Sequence, residues 1–128
     1  MEADGASISW LAIIVGAVAA FLVGWLWYSP KLFGVKWAEG VGVDLGSADE
    51  MPMAAMVFQI LGMLLMSWVI GITAAQNALF TAILVILAIT ALILANGYFA
   101  RKSAYAIRTE AGFIIVAGII MILAQGIF

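Results

Sequence analysis

The stretch that decides the fold is residues 51–100, MPMAAMVFQILGMLLMSWVIGITAAQNALFTAILVILAITALILANGYFA, which contains 50 residues and no charge. A helix that crosses the hydrocarbon core of a bilayer, about 30 Å thick, needs roughly 20 mostly apolar residues. The stretch therefore predicts two crossings joined by a tight hairpin. Its polar cluster, Thr73-Ala74-Ala75-Gln76-Asn77, marks the turn.

Two further charge-free stretches, residues 5–30 and 111–128, each suit one more crossing. The sequence thus predicts an all-α, polytopic integral membrane protein that forms a single four-helix domain over residues 1–128. The loop at 30–50 has the spacing of a short amphipathic helix at the membrane surface. The predicted helices span about 7–28, 52–75, 78–98 and 103–127.

Composition argues against a soluble protein. The chain is 67% hydrophobic and 9% charged, whereas soluble domains are about 45–50% apolar and about 25% charged. A net charge of −2 gives no reason to expect nucleic acid as a partner. We expect the partners to be the lipid bilayer and other transmembrane helices.

The basic residues predict the orientation. All five lie on one side of the predicted membrane: Lys31, Lys36, Arg101, Lys102 and Arg108. By the positive-inside rule this side is cytoplasmic, so both termini lie on the non-cytoplasmic side of a multi-pass protein in the cell (inner) membrane. Glu2 and Asp4 precede the first apolar stretch, where a signal peptide carries basic residues, so we expect an uncleaved first helix.

Small residues recur at every fourth position on two helices. Such stripes let helix backbones approach closely, which is how helices associate in a membrane. We therefore predict that they are packing faces. The stripe residues are Ala12, Gly16, Ala20 and Gly24 on the first helix, and Ser67 and Gly71 on the second.

A few polar and aromatic residues are candidates for a site. Arg108 and Glu110 are two residues apart on one helix, so they point in roughly opposite directions and each needs another partner, such as Lys31 or Lys36 for Glu110. The full set for a possible polar site is Gln59, Asn96, Arg108 and Glu110. Tryptophan and tyrosine have amphipathic rings that favour the headgroup region of a membrane. We therefore predict four interfacial anchors, Trp25, Trp27, Tyr28 and Trp37.

Residue types that carry chemistry are scarce. The chain has no histidine and no cysteine, which removes the commonest general base, metal ligand and thiol nucleophile. The loop carboxylates do not have the spacing of a known oxygen-ligand motif for a cation. We therefore expect no catalytic, cofactor or metal site, and we expect that the protein is not an enzyme.

The first predicted helix and the segment that follows it resemble a known family. The segments are Ser9-Trp10-Leu11-Ala12, Ala17-Val18-Ala19-Ala20-Phe21-Leu22-Val23-Gly24, Leu26-Trp27-Tyr28-Ser29-Pro30, Leu32-Phe33-Gly34 and Lys36-Trp37. They resemble the amino-terminal signature of the DUF1761 family of small bacterial and archaeal membrane proteins. Asn96, Phe99, Arg101 and Ala111-Gly112-Phe113 resemble its last hairpin more loosely. The resemblance implies four membrane helices and no established activity.

Two functions follow from these observations, and a third is disfavoured. The first is a non-catalytic packing subunit or scaffold in a homo-oligomer or larger membrane complex, suggested by the small-residue stripes and the missing chemistry. The alternative is a small oligomeric transporter or channel for an ion or metabolite. Its path would be lined by Gln59, Ser67, Thr81, Asn96 and Glu110. An intramembrane enzyme would need catalytic groups that the chain hardly offers.

Overall fold

The computed structural model describes residues 8–43 and 52–128, which form five helices and are all-α. Four of the helices are long and apolar enough to cross a membrane, which confirms the four predicted apolar helices. Residue 7, the predicted start of the first helix, lies outside the described residues. The helices are α1 (Trp10–Trp27), α2 (Gly34–Val41), α3 (Met53–Ala75), α4 (Leu79–Phe99) and α5 (Ala104–Ile127).

Local chemistry explains where these helices begin and turn. The Ser9 hydroxyl accepts a hydrogen bond from the Ala12 amide, and the Ser103 hydroxyl accepts one from the Ala106 amide, so each serine caps the first turn of its helix. The connections after α3 and α4 each contain one residue in the left-handed region, Asn77 at φ 54° and Arg101 at φ 59°. These residues reverse the chain within a few positions.

Helix α5 lies at the centre of the bundle. It packs against α1 and α4 along much of its length, and also against α3 and the short helix α2. Helix α4, by contrast, packs mainly against α5 and leaves most of its surface exposed. The buried residues of α5 accordingly lie around several sides of the helix, and they are Ala106, Ile107, Thr109, Ala111, Phe113, Ile114, Ala117, Gly118, Met121 and Ala124.

The small-residue stripe of α1 lies inside this bundle. Ala12, Gly16, Ala20 and Gly24 are all buried. A Cβ atom on Gly16 would come within 3.3 Å of the Met121 Cα atom, so the backbones of α1 and α5 meet there. The Ser67 hydroxyl of α3 also lies close to Gly16 and donates a hydrogen bond of 2.7 Å to the Ile13 carbonyl. The stripe therefore packs α1 against both α5 and α3.

Replacing Gly16 with leucine tests this close approach. The new side chain has to push α1 away from the Met121 backbone and the Ser67 hydroxyl. We expect Gly16→Leu to lower the free energy of unfolding by about 1–3 kcal/mol, the usual cost of overpacking. The measurement is reversible unfolding of the purified chain in mixed micelles with increasing dodecyl sulfate.

Gly126→Leu is the matched control, because a Cβ atom at Gly126 meets no atom within 4 Å. This variant should unfold at nearly the same dodecyl sulfate fraction as the unsubstituted chain. Equal stability of the two leucine variants would contradict the packing described for α1.

Candidate functional site

The end of the bundle where α1 stops and α5 starts gathers most of the polar side chains. Helix α2 folds back over this end, and its Gly40 carbonyl accepts a hydrogen bond of 3.0 Å from the Ser103 amide at the start of α5. The turn that allows this depends on Gly34, whose amide donates to the Ser29 carbonyl at 2.9 Å. A Cβ atom on Gly34 would collide with the Tyr28 carbonyl oxygen, so the position requires glycine.

Glu110 is the centre of a polar cluster formed by Glu110, Lys102 and Trp37, the Glu110 cluster. The Lys102 ammonium lies 3.0 Å from both carboxylate oxygens, and the Trp37 indole N–H donates to Oε2 at 2.9 Å. The Glu110 and Lys102 side chains are only 16% and 24% exposed. Charge-assisted hydrogen bonds of this kind are the strong ones, so the cluster ties α2 and the α4–α5 turn to α5.

The α4–α5 turn is what brings Lys102 back to Glu110. Arg101 adopts φ 59°, and the following Lys102 amide donates to the Gly97 carbonyl at 3.1 Å. This geometry ends α4 and reverses the chain, so Lys102 lies above the second turn of α5. The partner of Glu110 is therefore Lys102, and the prediction of Lys31 or Lys36 was wrong.

Aromatic rings enclose the cluster on the α1 side. Tyr28, just after α1, packs edge-on against Trp37 with ring centroids 4.9 Å apart, and against Phe113 with centroids 5.8 Å apart. Burial raises the pKa of the Tyr28 phenol above its usual value, and the Glu110 carboxylate raises it further. The Tyr28 ring therefore forms one wall of the cluster.

A second tryptophan joins α1 to α5 beside the cluster. The Trp27 indole N–H donates to the Thr109 carbonyl at 2.9 Å, and its ring lies 4.8 Å from that of Phe33. These side chains form one wall of an open cleft of about 260 Å³. The residues lining the cleft are Trp27, Phe33, Tyr105, Arg108 and Thr109.

The four residues predicted for a polar site are not brought together. Gln59 and Asn96 are exposed on α3 and α4, and Arg108 is exposed on α5, where its Nε donates to the Ala104 carbonyl at 3.3 Å. Within residues 8–43 and 52–128, no hydrogen bond joins any two of the four. Only Glu110 lies in a defined polar environment.

The predicted interfacial anchors fall into two groups. Trp25 is 51% exposed and faces away from the bundle. Trp27, Tyr28 and Trp37 lie at the end of the bundle that carries the basic residues, but they make their contacts inside the protein. These three side chains therefore act as parts of the site.

The sequence pattern does not single out Lys102 or Thr109 as site residues. It presents Lys102 as one of five basic residues, although its spacing of eight residues from Glu110 allows both to share a helix-turn junction. Thr109 takes part through its backbone carbonyl, for which no sequence signal exists. Its hydroxyl donates to the Tyr105 carbonyl at 2.8 Å.

The Glu110 cluster has a fixed geometry. Both oxygens of Glu110 accept hydrogen bonds from fixed donors, so the carboxylate is held in place by a cation and an indole. In the part of the chain that the structure describes, no group of three carboxylates or other metal-ligating side chains lies together. The arrangement orients two segments, α2 and the α4–α5 turn, against α5.

Neutralising Glu110 tests this role. Glu110→Gln keeps the size of the side chain but leaves the half-buried Lys102 ammonium without a counter-charge. We expect the free energy of unfolding to fall by about 1–3 kcal/mol. Unfolding in mixed micelles measures it.

Glu39→Gln removes the same charge from an exposed position on α2 and should change the stability by less than about 0.5 kcal/mol. Lys102→Met combined with Glu110→Gln should cost less than the sum of the two single changes, since each removes the same interaction. Equal costs for Glu110→Gln and Glu39→Gln would contradict the role of the cluster.

Comparison with known proteins places the chain in a family. Searches of the curated proteins and of the solved structures gave no significant match. The model of the family described as "Protein of unknown function (DUF1761)" matches residues 11–126, which include all of α2 to α4, nearly all of α1 and α5, and the site at their end. The resemblance of the first helix and its exit is thereby confirmed, and the chain belongs to the DUF1761 family.

Proposed function

We propose that this protein is a non-catalytic, multi-pass subunit of an oligomeric assembly in the cell (inner) membrane, with both termini on the non-cytoplasmic side. Four long apolar helices support the membrane placement. The orientation is supported by the position of the basic residues. Helix α2 and the α4–α5 turn pack at one end of the bundle, and together with the start of α5 they carry four of the five basic residues. The fifth, Lys31, lies in the turn before α2, so all five are at the end that the positive-inside rule places in the cytoplasm.

The observation that supports an oligomer is that the first half of α3 is exposed. Residues 53–62 are exposed, apart from a partly covered Met56, whereas Met63, Met66, Ser67 and Ile70 in the second half are buried in the bundle. A Cβ atom at Gly62 would meet nothing within 4 Å. Nearly three turns of the helix therefore have no close neighbour among the residues that the structure describes.

Gln59 lies in the middle of that uncovered half. In hydrocarbon, a side-chain amide without a hydrogen-bonding partner is costly, and no described residue hydrogen-bonds to Gln59. A carboxamide is both donor and acceptor, so two copies of Gln59 related by a two-fold axis satisfy each other. This self-complementarity favours a second copy of the same chain as the partner.

The neighbours of Gln59 allow such a pair to form. Ala55, Gln59 and Gly62 are spaced by four and three residues, so they share one face of α3. Small residues on either side of the amide let two helices approach closely enough for a hydrogen bond. The α1 stripe does not compete for this role, because it is already buried within the chain.

A transporter or channel is the alternative, and the polar side chains favour it less. Ser67, Thr73 and Thr90 donate their hydroxyl hydrogens to the backbone carbonyls of Ile13, Ile70 and Ile86. Glu110 is paired at one end of the bundle. Few polar groups are therefore left to line a path within one copy.

Reporter fusions test the orientation. Alkaline phosphatase, which is active only after export, should be active when fused after Phe128 and inactive when fused after Val43. Enzyme activity per fusion protein in intact cells is the measurement, with a cytoplasmic reporter at the same two sites expected to show the opposite pattern. Activity after Val43 would overturn the proposed orientation.

Cysteine cross-linking tests the oligomer, and the absence of native cysteines makes it clean. A two-fold axis along the membrane normal brings the two copies of Ala55 together, so Ala55→Cys should give disulfide-linked dimers in dilute proteoliposomes. Adding Gln59→Leu should weaken the dimer about 3- to 30-fold, the range for an interhelical hydrogen bond in a membrane.

Two controls complete the experiment. Ala95→Cys lies on the exposed surface of α4 near the same end of the bundle and should not cross-link. Asn96→Leu removes a different exposed amide, on α4, and should leave the Ala55→Cys dimer intact. Equal cross-linking at Ala55→Cys and Ala95→Cys, or a dimer unaffected by Gln59→Leu, would contradict the proposed interface.

A further inference from the structure

The cleft between the end of α1 and the start of α5 has an apolar interior and cations beside it. Its lining is formed by the rings of Trp27, Phe33 and Tyr105 together with the side chains of Arg108 and Thr109. Two polar groups of these residues are already used, because the Trp27 indole donates to the Thr109 carbonyl and the Thr109 hydroxyl donates to the Tyr105 carbonyl. The lining therefore offers mainly aromatic surface.

Two positive charges flank this surface. Arg108 is exposed and lines the cleft, and its Nε donates to the Ala104 carbonyl at 3.3 Å. The ammonium of Lys36 lies 5.4 Å from the centroid of the Tyr105 ring, a cation–π contact that brings a second charge to the same wall. Among the described residues the one ion pair is Lys102–Glu110, and it involves neither cation.

We propose that this cleft binds an anionic phospholipid, with the phosphate held by Arg108 and Lys36 and the start of an acyl chain lying on the rings of Trp27, Phe33 and Tyr105. An anionic group suits two cations, and the planar guanidinium of arginine matches a phosphate well. A purely soluble phosphate compound would leave the aromatic wall uncovered. An anion joined to an apolar chain uses both parts of the site.

Size and position agree with this ligand. At about 260 Å³ the open cleft takes one headgroup and the first part of a chain rather than a whole lipid. The site lies at the basic end of the bundle. This inference rests on the proposed membrane orientation, which puts that end among the anionic headgroups of the cytoplasmic leaflet.

Retention of lipid by the purified full-length chain tests the proposal. Native mass spectrometry in mild detergent compares bound phosphatidylglycerol with phosphatidylcholine of the same acyl chains. The unsubstituted chain should prefer phosphatidylglycerol. Arg108→Gln combined with Lys36→Gln should weaken that binding about tenfold or more, as expected for the loss of charged hydrogen bonds. Arg108→Lys should retain a large part of the binding, because it keeps the charge.

Arg101→Gln combined with Lys31→Gln is the matched control. It also removes two positive charges at this end of the bundle, but from exposed residues that do not line the cleft. This variant should keep the preference for phosphatidylglycerol. An equal loss in the two double variants would overturn the proposal, because it would mean that the lipid is attracted by the net charge of the surface.

A competition arm separates the lipid from a soluble phosphate compound. Glycerophosphoglycerol, which is the same headgroup without acyl chains, should fail to displace phosphatidylglycerol even in large excess. Displacement at comparable concentrations would overturn the role of the aromatic wall. The reporter fusions and the Ala55→Cys dimer do not depend on Arg108 or Lys36, so failure here is distinguishable from failure of the proposed orientation or oligomer.

Discussion

The close approach of α1 to α5 is the contact on which the rest of the structure depends. A Cβ atom added to Gly16 would lie only 3.3 Å from the Met121 Cα atom, so the absence of a side chain at Gly16 lets the two helices come this close. At the other end of α1, the absence of a side chain at Gly24 leaves room for the ring of Phe113. Because lipid tails are as apolar as leucine, such close packing rather than a hydrophobic drive holds the helices together. The site exists because this contact places the end of α1 beside the start of α5.

Much of the fold is readable from the sequence, for reasons that are physical. A charge-free run long enough to span hydrocarbon has few other uses, so the four long helices follow directly from where Lys31, Glu50, Arg101 and Glu110 interrupt the apolar residues. A glycine and alanine stripe on α1 predicts close packing, and the structure places that stripe in the interior. The sequence pattern does not show which helix the stripe packs against, because α3 and α5 also carry small residues.

The site was less predictable than the fold. Glu110 is the acidic residue that lies within a predicted membrane helix, but its partner depends on the left-handed turn at Arg101, a conformation that an arginine in the sequence does not predict. The bond from Trp27 to the Thr109 carbonyl joins residues 82 positions apart. The uncovered half of α3 has no sequence signal either, since its residues are as apolar as those of the packed half.

The central position of α5 has a consequence for biogenesis. A polypeptide is made from its amino end, so α1 is synthesised before α5, the helix that covers its glycine face. Until α5 has been made, the glycine face of α1 lacks its main neighbour and α4 lacks most of its packing contacts. The contacts that hold α1 and α4 in the bundle can therefore form only after α5 has been synthesised.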